Sequence, residues 1–370
     1  MNFSLSEEQE AIGAMAATVF ADFCSDAQIQ QFWAGDAPFD AALWSSLRES
    51  GLTHLILPEA LGGSALGMTE LSVVLEVQGR HLAPVPLWSH QLAVAAMSRF
   101  DAASAARASW PALAEATQLA TLSLGGLHAS RGLALHAEQA AGGWRLHGRA
   151  VAVPLAAQAA VAVLPALTSG GVRLLVVDLS RPGIEKLSGR LTHHEPAADL
   201  VFADVVLPAG AALDAAACAW LEPRAAACLG ALQLGVTAEA LKRVVAYTSE
   251  RRQFGQPIAA FQAISQKTAD CLIDVEALRS SLWQLLWQLD SGLDATGSAA
   301  VVRAWTCDTG HRVTHAAQHM HGGIGADVSY PIHRYTYWSR AIEIACGGIS
   351  ANLAGLGAWL GTPALTEAGC

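Results

Sequence analysis

Two cations and an aromatic ring stand at a corner of the chain where they could grip an anion. Arg251 and Arg252 close an Ala/Leu-rich run in which Leu234, Ala238, Leu241 and Val245 have the spacing of one helix face. Phe254 follows, and Gly255, Gln256 and Pro257 break the run, because Gly tolerates unusual dihedrals while Pro fixes φ and lacks an N–H. A second helix restarts near Phe261. A guanidinium is planar, always charged and suited to bidentate contact with a diphosphate. Two cations in the last turn of a helix can equally complement its dipole, and spacing alone leaves both readings open. Later, Gln318 stands four residues ahead of the pair Gly322-Gly323. Glycine there could let the backbone approach a ligand, or it could cap a helix C-terminus.

Other chemistries lack their residues. The seven Cys (Cys24, Cys218, Cys228, Cys271, Cys307, Cys346, Cys370) are scattered, odd in number and without a CxxC, so they indicate reduced thiols rather than a disulfide or metal framework. The thirteen His show no HExxH or other ligand spacing. Net charge of -10 argues against nucleic acid, which calls for basic patches. Charged residues are only 15%, where roughly 25% is usual. A chain so poor in charge is expected to hide surface in an oligomer. The acidic start, Met-Asn-Phe-Ser-Leu-Ser-Glu-Glu-Gln, is not a signal peptide, and no uninterrupted apolar run of about 18 residues reads as membrane-spanning. The expectation is a cytoplasmic protein without metal, membrane or nucleic-acid partner.

The elements that must position the corner divide into three stretches. Residues 1–117 read as helical: Ser6 and Gln9 form a capping box, Ile12, Met15, Val19 and Phe23 share a face, and Asp40 can cap a helix carrying Leu43, Trp44 and Leu47. Residues 118–214 change to short alternating runs around 133–138, 144–148, 161–164, 172–178 and 200–207, with a hairpin at Gly142-Gly143. They suggest a small β-barrel or sandwich. Residues 215–370 return to helices, with Val302, Trp305, Thr309, Val313, Ala316 and Met320 on one face, as in an antiparallel bundle. The fold class is α+β.

Arg251-x-Gln253-Phe254-Gly255-x-Pro257-Ile258-x-x-Phe261-Gln262, together with Gln318-His-Met-His-Gly322-Gly323-Ile-Gly325 and Ser329-Tyr-Pro-Ile-His-Arg334, resembles the acyl-CoA dehydrogenase family of flavoproteins. The loop Pro58-Glu59-Ala-Leu-Gly62-Gly63 and the stretch Ala83-Pro-Val-Pro86 resemble that family's first domain. The resemblance implies FAD as cofactor, an acyl-CoA thioester as substrate, electron transfer flavoprotein as acceptor, and the helical, β, helical order of domains. Carried over by position, it implies that Arg251, Gln253, Phe254, Ile258, Phe261, Gln318 and Gly322 clamp the diphosphate and adenosine end of a neighbouring subunit's FAD.

The catalytic half departs from the family. Counted from Tyr330-Pro331, the usual catalytic Glu falls on Cys346. A thiol is a poor base near neutrality, and such a Cys is more often a small core residue. The alternative base position of some family members falls on Ala225; Glu222 is three residues too early, and Glu343 would need a gap. Contacts to the flavin ring and acyl-CoA depart too, at Leu122–His128 and at Val151-Ala-Val-Pro-Leu155. The imbalance resembles the non-catalytic partner in heteromeric acyl-CoA dehydrogenases (heterotetramers) of bacterial steroid side-chain degradation, with a homologous subunit supplying the carboxylate. Two other readings stay open: a self-sufficient homo-oligomer with a displaced base, and a scaffold or acyl-CoA-binding protein without catalysis.

Overall fold

The computed structural model describes residues 4–102, 106, 109–127 and 132–361. His128 and Cys370 lie outside the described residues. Helices α1 (Glu7–Phe23), α2 (Asp26–Ala34), α3 (Ala41–Glu49), α4 (Met68–His81), α5 (Leu87–Arg99) and α6 (Trp110–Ala114) come first. Strands β1 (Ala120–Leu122), β2 (Ala134–Ala140), β3 (Gly143–Pro154), β4 (Val161–Thr168), β5 (Gly171–Asp178), β6 (Ile184–Arg190) and β7 (Pro196–Pro208) follow. Then come α7 (Ala217–Glu250), the short β8 (Arg252–Gln253) and β9 (Gln256–Pro257), α8 (Gln262–Asp290), α9 (Thr296–His321), α10 (Ile332–Ala345) and α11 (Ile349–Leu360).

Local chemistry fixes many of these ends. Ser6 Oγ accepts the Gln9 N–H (3.2 Å) while Gln9 Oε1 accepts the Ser6 N–H (2.9 Å), so two otherwise unpaired donors of α1 are satisfied reciprocally. Ser25 and Gln28 repeat the device on α2. Asp40 caps α3 through the Leu43 N–H (2.9 Å). On α1 the buried line is Ala16 and Phe20, and Met15 is 39% exposed. The expected stripe is therefore rotated: the bulkier Phe20 takes the core position and Met15 faces solvent. At the Pro58–Gly63 loop, Gly62 adopts φ 75°, and a Cβ on Gly63 would lie 2.1 Å from the Leu57 carbonyl oxygen. Turn geometry alone thus accounts for glycine at both positions.

By contact the chain separates into two compact units, one of Asp36–Leu71 with Pro84–Ala225 and one containing α1, α2, Ser72–Ala83 and the chain from Ala226 onward. The first holds a curled sheet of order β1-β4-β2-β3-β7-β6, with β5 on the other edge of β4. β4 is buried from Val161 to Ala166, because β1 and β2 share one of its edges in parallel and β5 covers the other in antiparallel. β2 and β3 form the expected hairpin: Ala140 pairs with Gly143 across a two-residue turn in which Gly142 has φ 81°. The three-residue β1 and the polar, exposed β6 carry no alternation that would reveal them beforehand.

The second unit is helical. α8 and α9 pack together across the short connection 291–295, which makes them antiparallel. The expected face of α9 is inside: Val302, Thr309, Val313, Ala316 and Met320 are buried and Trp305 is half-buried. Two glycines let helices meet backbone to backbone. A Cβ on Gly79 of α4 would sit 2.2 Å from the Leu232 carbonyl oxygen of α7, and one on Gly235 would sit 1.9 Å from the Glu76 carbonyl oxygen. Nothing larger than hydrogen fits at either position.

Candidate cofactor-clamping site

The Arg–Phe block forms a projecting hairpin. α7 ends at Glu250, so Arg251 stands at its C-terminal end, where a cation can complement the helix dipole, and Arg252 begins β8. The Arg251 N–H still donates to the Tyr247 carbonyl (2.8 Å), and the Ile258 N–H donates to the Arg251 carbonyl (2.8 Å), closing the base of the hairpin. β8 and β9 pair through Arg252 with Pro257 and Gln253 with Gln256. Phe254 and Gly255 make the turn, with φ 49° and 82°. Two successive positive-φ residues mark a type I′ turn, where Asn-Gly is usual. A phenylalanine there carries about 1–2 kcal/mol of backbone strain. Its side chain is nevertheless held out, 93% exposed, and meets Phe261 edge-on at 6.1 Å.

Around that ring the hairpin is braced. Arg252 Nη2 donates to the Gly255 carbonyl (3.3 Å) and Gln253 Nε2 to the Arg252 carbonyl (2.8 Å). Ile258 and Phe261 are half-buried at its foot. The Arg251 guanidinium is exposed and, among the described residues, forms no ion pair or side-chain hydrogen bond.

The second block lies at the end of α9 in the same unit. Gly322 caps the helix with φ 64° and ψ -141°, a conformation open essentially only to glycine. Among the described residues, no atom beyond its chain neighbours lies within 4 Å of where its Cβ would be, so the backbone there is open to approach. Gln318 is drawn inward: its Nε2 donates to the Gly325 carbonyl (3.0 Å) and its Oε1 accepts from Thr336 Oγ1 (3.1 Å). The two blocks are tied by aromatic rings. Tyr247, one turn before Arg251, stacks on His321 at 4.4 Å, donates to the His321 carbonyl (3.4 Å), and His321 in turn meets Tyr330 at 5.4 Å. The signal was available, since Tyr247 lies one turn before the first motif and His321 lies inside the second.

The candidate base positions are otherwise occupied. Cys346 is 1% exposed, and a hydrogen bond with Cys307 together with burial pushes its thiol well above the usual thiol range. Its carbonyl accepts from Asn352 Nδ2 (2.8 Å), and the Asn352 Oδ1 is held by Arg303 Nε (3.1 Å). The residue terminates α10 inside the core. Glu343 is held by Arg340 (2.6 Å). Glu222 lies half-buried in α7 beside Cys218, whose thiol is pushed up to about 11 by burial and by that carboxylate. Ala225 is 2% exposed and has no acidic group to offer.

In the sheet unit, the stretch Val151–Leu155 contains a bulge, with Ala152 at φ 51° and Leu155 at φ 49°. Asp199 fixes it by accepting the Ala152 N–H (2.6 Å) and pairing with Arg149. Val151 projects, 52% exposed.

The order of helices, curled sheet and helices is also the fold of butyryl-CoA dehydrogenase from Megasphaera elsdenii, which superposes with TM-score 0.85 at 23% identity over 97% of this chain and 100% of that one. The family model for the acyl-CoA dehydrogenase N-terminal domain matches residues 6–115, and that for the C-terminal domain matches residues 223–355. Acyl-CoA dehydrogenase FadE27 of Mycobacterium tuberculosis is 30% identical over 98% of this chain and all of its own. The chain belongs to the acyl-CoA dehydrogenase family. It is also similar to a chain of the ChsE4-ChsE5 complex from Mycobacterium tuberculosis (TM-score 0.92, 29% identity, 98% of this chain and 100% of that one). A variant of the Tcur3481-Tcur3483 steroid ACAD superposes with TM-score 0.90 at 35% identity over 96% and 98%. PigA, of the same fold at TM-score 0.86 and 22% identity, has been solved with FAD and proline. The surface described above fits such a nucleotide: an uncommitted guanidinium, an exposed aromatic ring and an open glycine backbone are the groups that diphosphate and adenosine require.

Proposed function

We propose that this chain is the non-catalytic partner subunit of a heteromeric, FAD-dependent acyl-CoA dehydrogenase. Its part 215–370 lends a clamp to FAD held by a homologous subunit, and that subunit supplies the carboxylate that removes the α-proton of the thioester. When bound, FAD supplies the redox chemistry and accepts the β-hydride. Arg251 pairs with the diphosphate, while Phe254, with Ile258 and Phe261 at its foot, offers apolar surface to the adenosine end. Gln253, Gln318 and Gly322 contribute polar and backbone contacts. Electron transfer flavoprotein is the expected acceptor, and the likeness to a chain of the Tcur3481-Tcur3483 steroid ACAD favours a steroid-type acyl group.

The observation that carries this reading is Cys346: at the family's base position stands a buried thiol committed to Cys307. General-base catalysis needs a group of suitable pKa within reach of the C–H, and this one has neither the pKa nor the access. The test is co-expression with a homologous chain that retains the Glu. Both chains should co-purify in equal amounts with FAD, and Arg251→Ala should strip the flavin. Bound FAD and dehydrogenase turnover from this chain alone would establish the self-sufficient enzyme instead. Flavin content indifferent to Arg251→Ala would favour the scaffold.

A further inference from the structure

A cavity of about 300 Å³ opens in the helical unit between α2, α4, α7 and α10. Four cations line it, Arg80, Lys242, Arg243 and Arg334, against two carboxylates, Asp26 and Glu239. Both carboxylates are committed. Glu239 accepts from Lys242 Nζ (3.4 Å) and Arg243 Nε (3.1 Å), and Asp26 accepts from Arg243 Nη1 (2.8 Å). Arg80 pairs outward with Glu76 (2.5 Å), which Arg279 shares (3.1 Å).

Arg334 differs from the other three. It is 2% exposed, yet among the described residues it forms no ion pair. Its single hydrogen bond runs from Nη1 to the backbone carbonyl of Asp26 (2.8 Å), and the Trp33 ring lies 5.8 Å from the guanidinium. A guanidinium has five N–H donors, so most of this one's capacity is unmatched by protein. Burial lowers its pKa, and the nearby Asp26 carboxylate, already paired with Arg243, only partly offsets that. A buried charge without a dedicated partner is costly, and the fold supplies a cavity where a further counter-charge would stand.

We propose that this cavity is a binding site for a phosphate-class oxyanion, with Arg334 as its buried contact and Lys242 and Arg80 as its exposed ones. The lining carries an excess of two positive charges, and planar guanidinium edges match pairs of oxygens on a tetrahedral anion better than they match chloride. The space is ample for an oxyanion with its residual hydration, or for the phosphate end of a mononucleotide. Arg251 and the hairpin are not among its lining residues, so the site is separate from the proposed FAD clamp.

Calorimetric titration of the full chain, in its complex where one forms, decides the matter. Inorganic phosphate and AMP are titrated separately at ionic strength held constant with sodium chloride. Saturable phosphate binding is expected, and Lys242→Ala and Arg80→Ala should each weaken it about tenfold, the loss of one charge-assisted contact. Arg251→Ala should leave it unchanged. Arg334→Met should abolish it, and the two exposed-residue variants keep the test decisive if that variant fails to fold. AMP binding tighter than phosphate, with the same variant pattern, identifies a nucleotide as the carrier; phosphate binding alone identifies the free ion. No saturable binding in the wild type, or binding that Lys242→Ala and Arg80→Ala leave intact, overturns the proposal.

Discussion

His90 makes the stability of the sheet unit depend on pH, with a size that can be worked out. The ring is 0% exposed on α5, stands edge-on to Trp44 at 5.5 Å, and its Nδ1 accepts the Ala120 N–H (3.1 Å). Burial pushes its pKa down to about 3 from an ordinary 6.5. Protonation therefore favours the unfolded chain: the contribution is intact above pH 6.5 and is lost as pH falls from there toward 3. Between pH 7 and pH 5 the linkage amounts to about 2 kcal/mol. Replacing His90 by Asn keeps an acceptor near the Nδ1 position and removes the titration. Urea unfolding followed by tryptophan fluorescence, at one protein concentration, gives the stability of both forms at the two pH values. Wild type should lose about 2 kcal/mol more than His90→Asn on going from pH 7 to pH 5. Equal losses would show that the imidazole is reached by protons in the folded state and that its burial does not govern it.

Three further outcomes follow from the geometry. Gly235→Ala drives a methyl into the Glu76 carbonyl and should cost on the order of 3 kcal/mol, read as a lowered denaturant midpoint; a change below about 0.5 kcal/mol would mean the helices part freely. Phe254→Asn restores the residue usual at that turn position, so stability should rise by up to about 1 kcal/mol while flavin retention in the complex falls, and retention unchanged by the swap would deny the ring a role. Cys346→Glu places a carboxylate in a buried site and should destabilise by several kcal/mol without creating turnover; a well-folded, active variant would show that the position can still serve as a base.

What could be read from the sequence was what neighbours in sequence decide. The Ser6–Gln9 capping box, the Asp40 cap, the turn at Gly142 and the inward face of α9 each arise from residues within one or two turns of one another. Long-range packing was not legible. Gly79 and Gly235 look like ordinary helix interruptions until α4 and α7 cross. β6 has the polarity of a loop and becomes a strand only because β7 offers it an edge. The hairpin after α7 was hidden for another reason: Phe-Gly is not the pair that advertises a type I′ turn, so the corner read as a simple helix break. At the clamp, both motif blocks could be picked out in the sequence, while the Tyr247–His321 stack that joins them depends on where two helix ends fall in space.

The paired glycines where α4 crosses α7 also constrain how this sequence can drift. Each is opposed by a main-chain oxygen rather than by a side chain, so no compensating trim elsewhere can make room for a methyl group. A methyl group at either position is accommodated only by moving the two main chains apart, so a single substitution there is borne by the whole crossing.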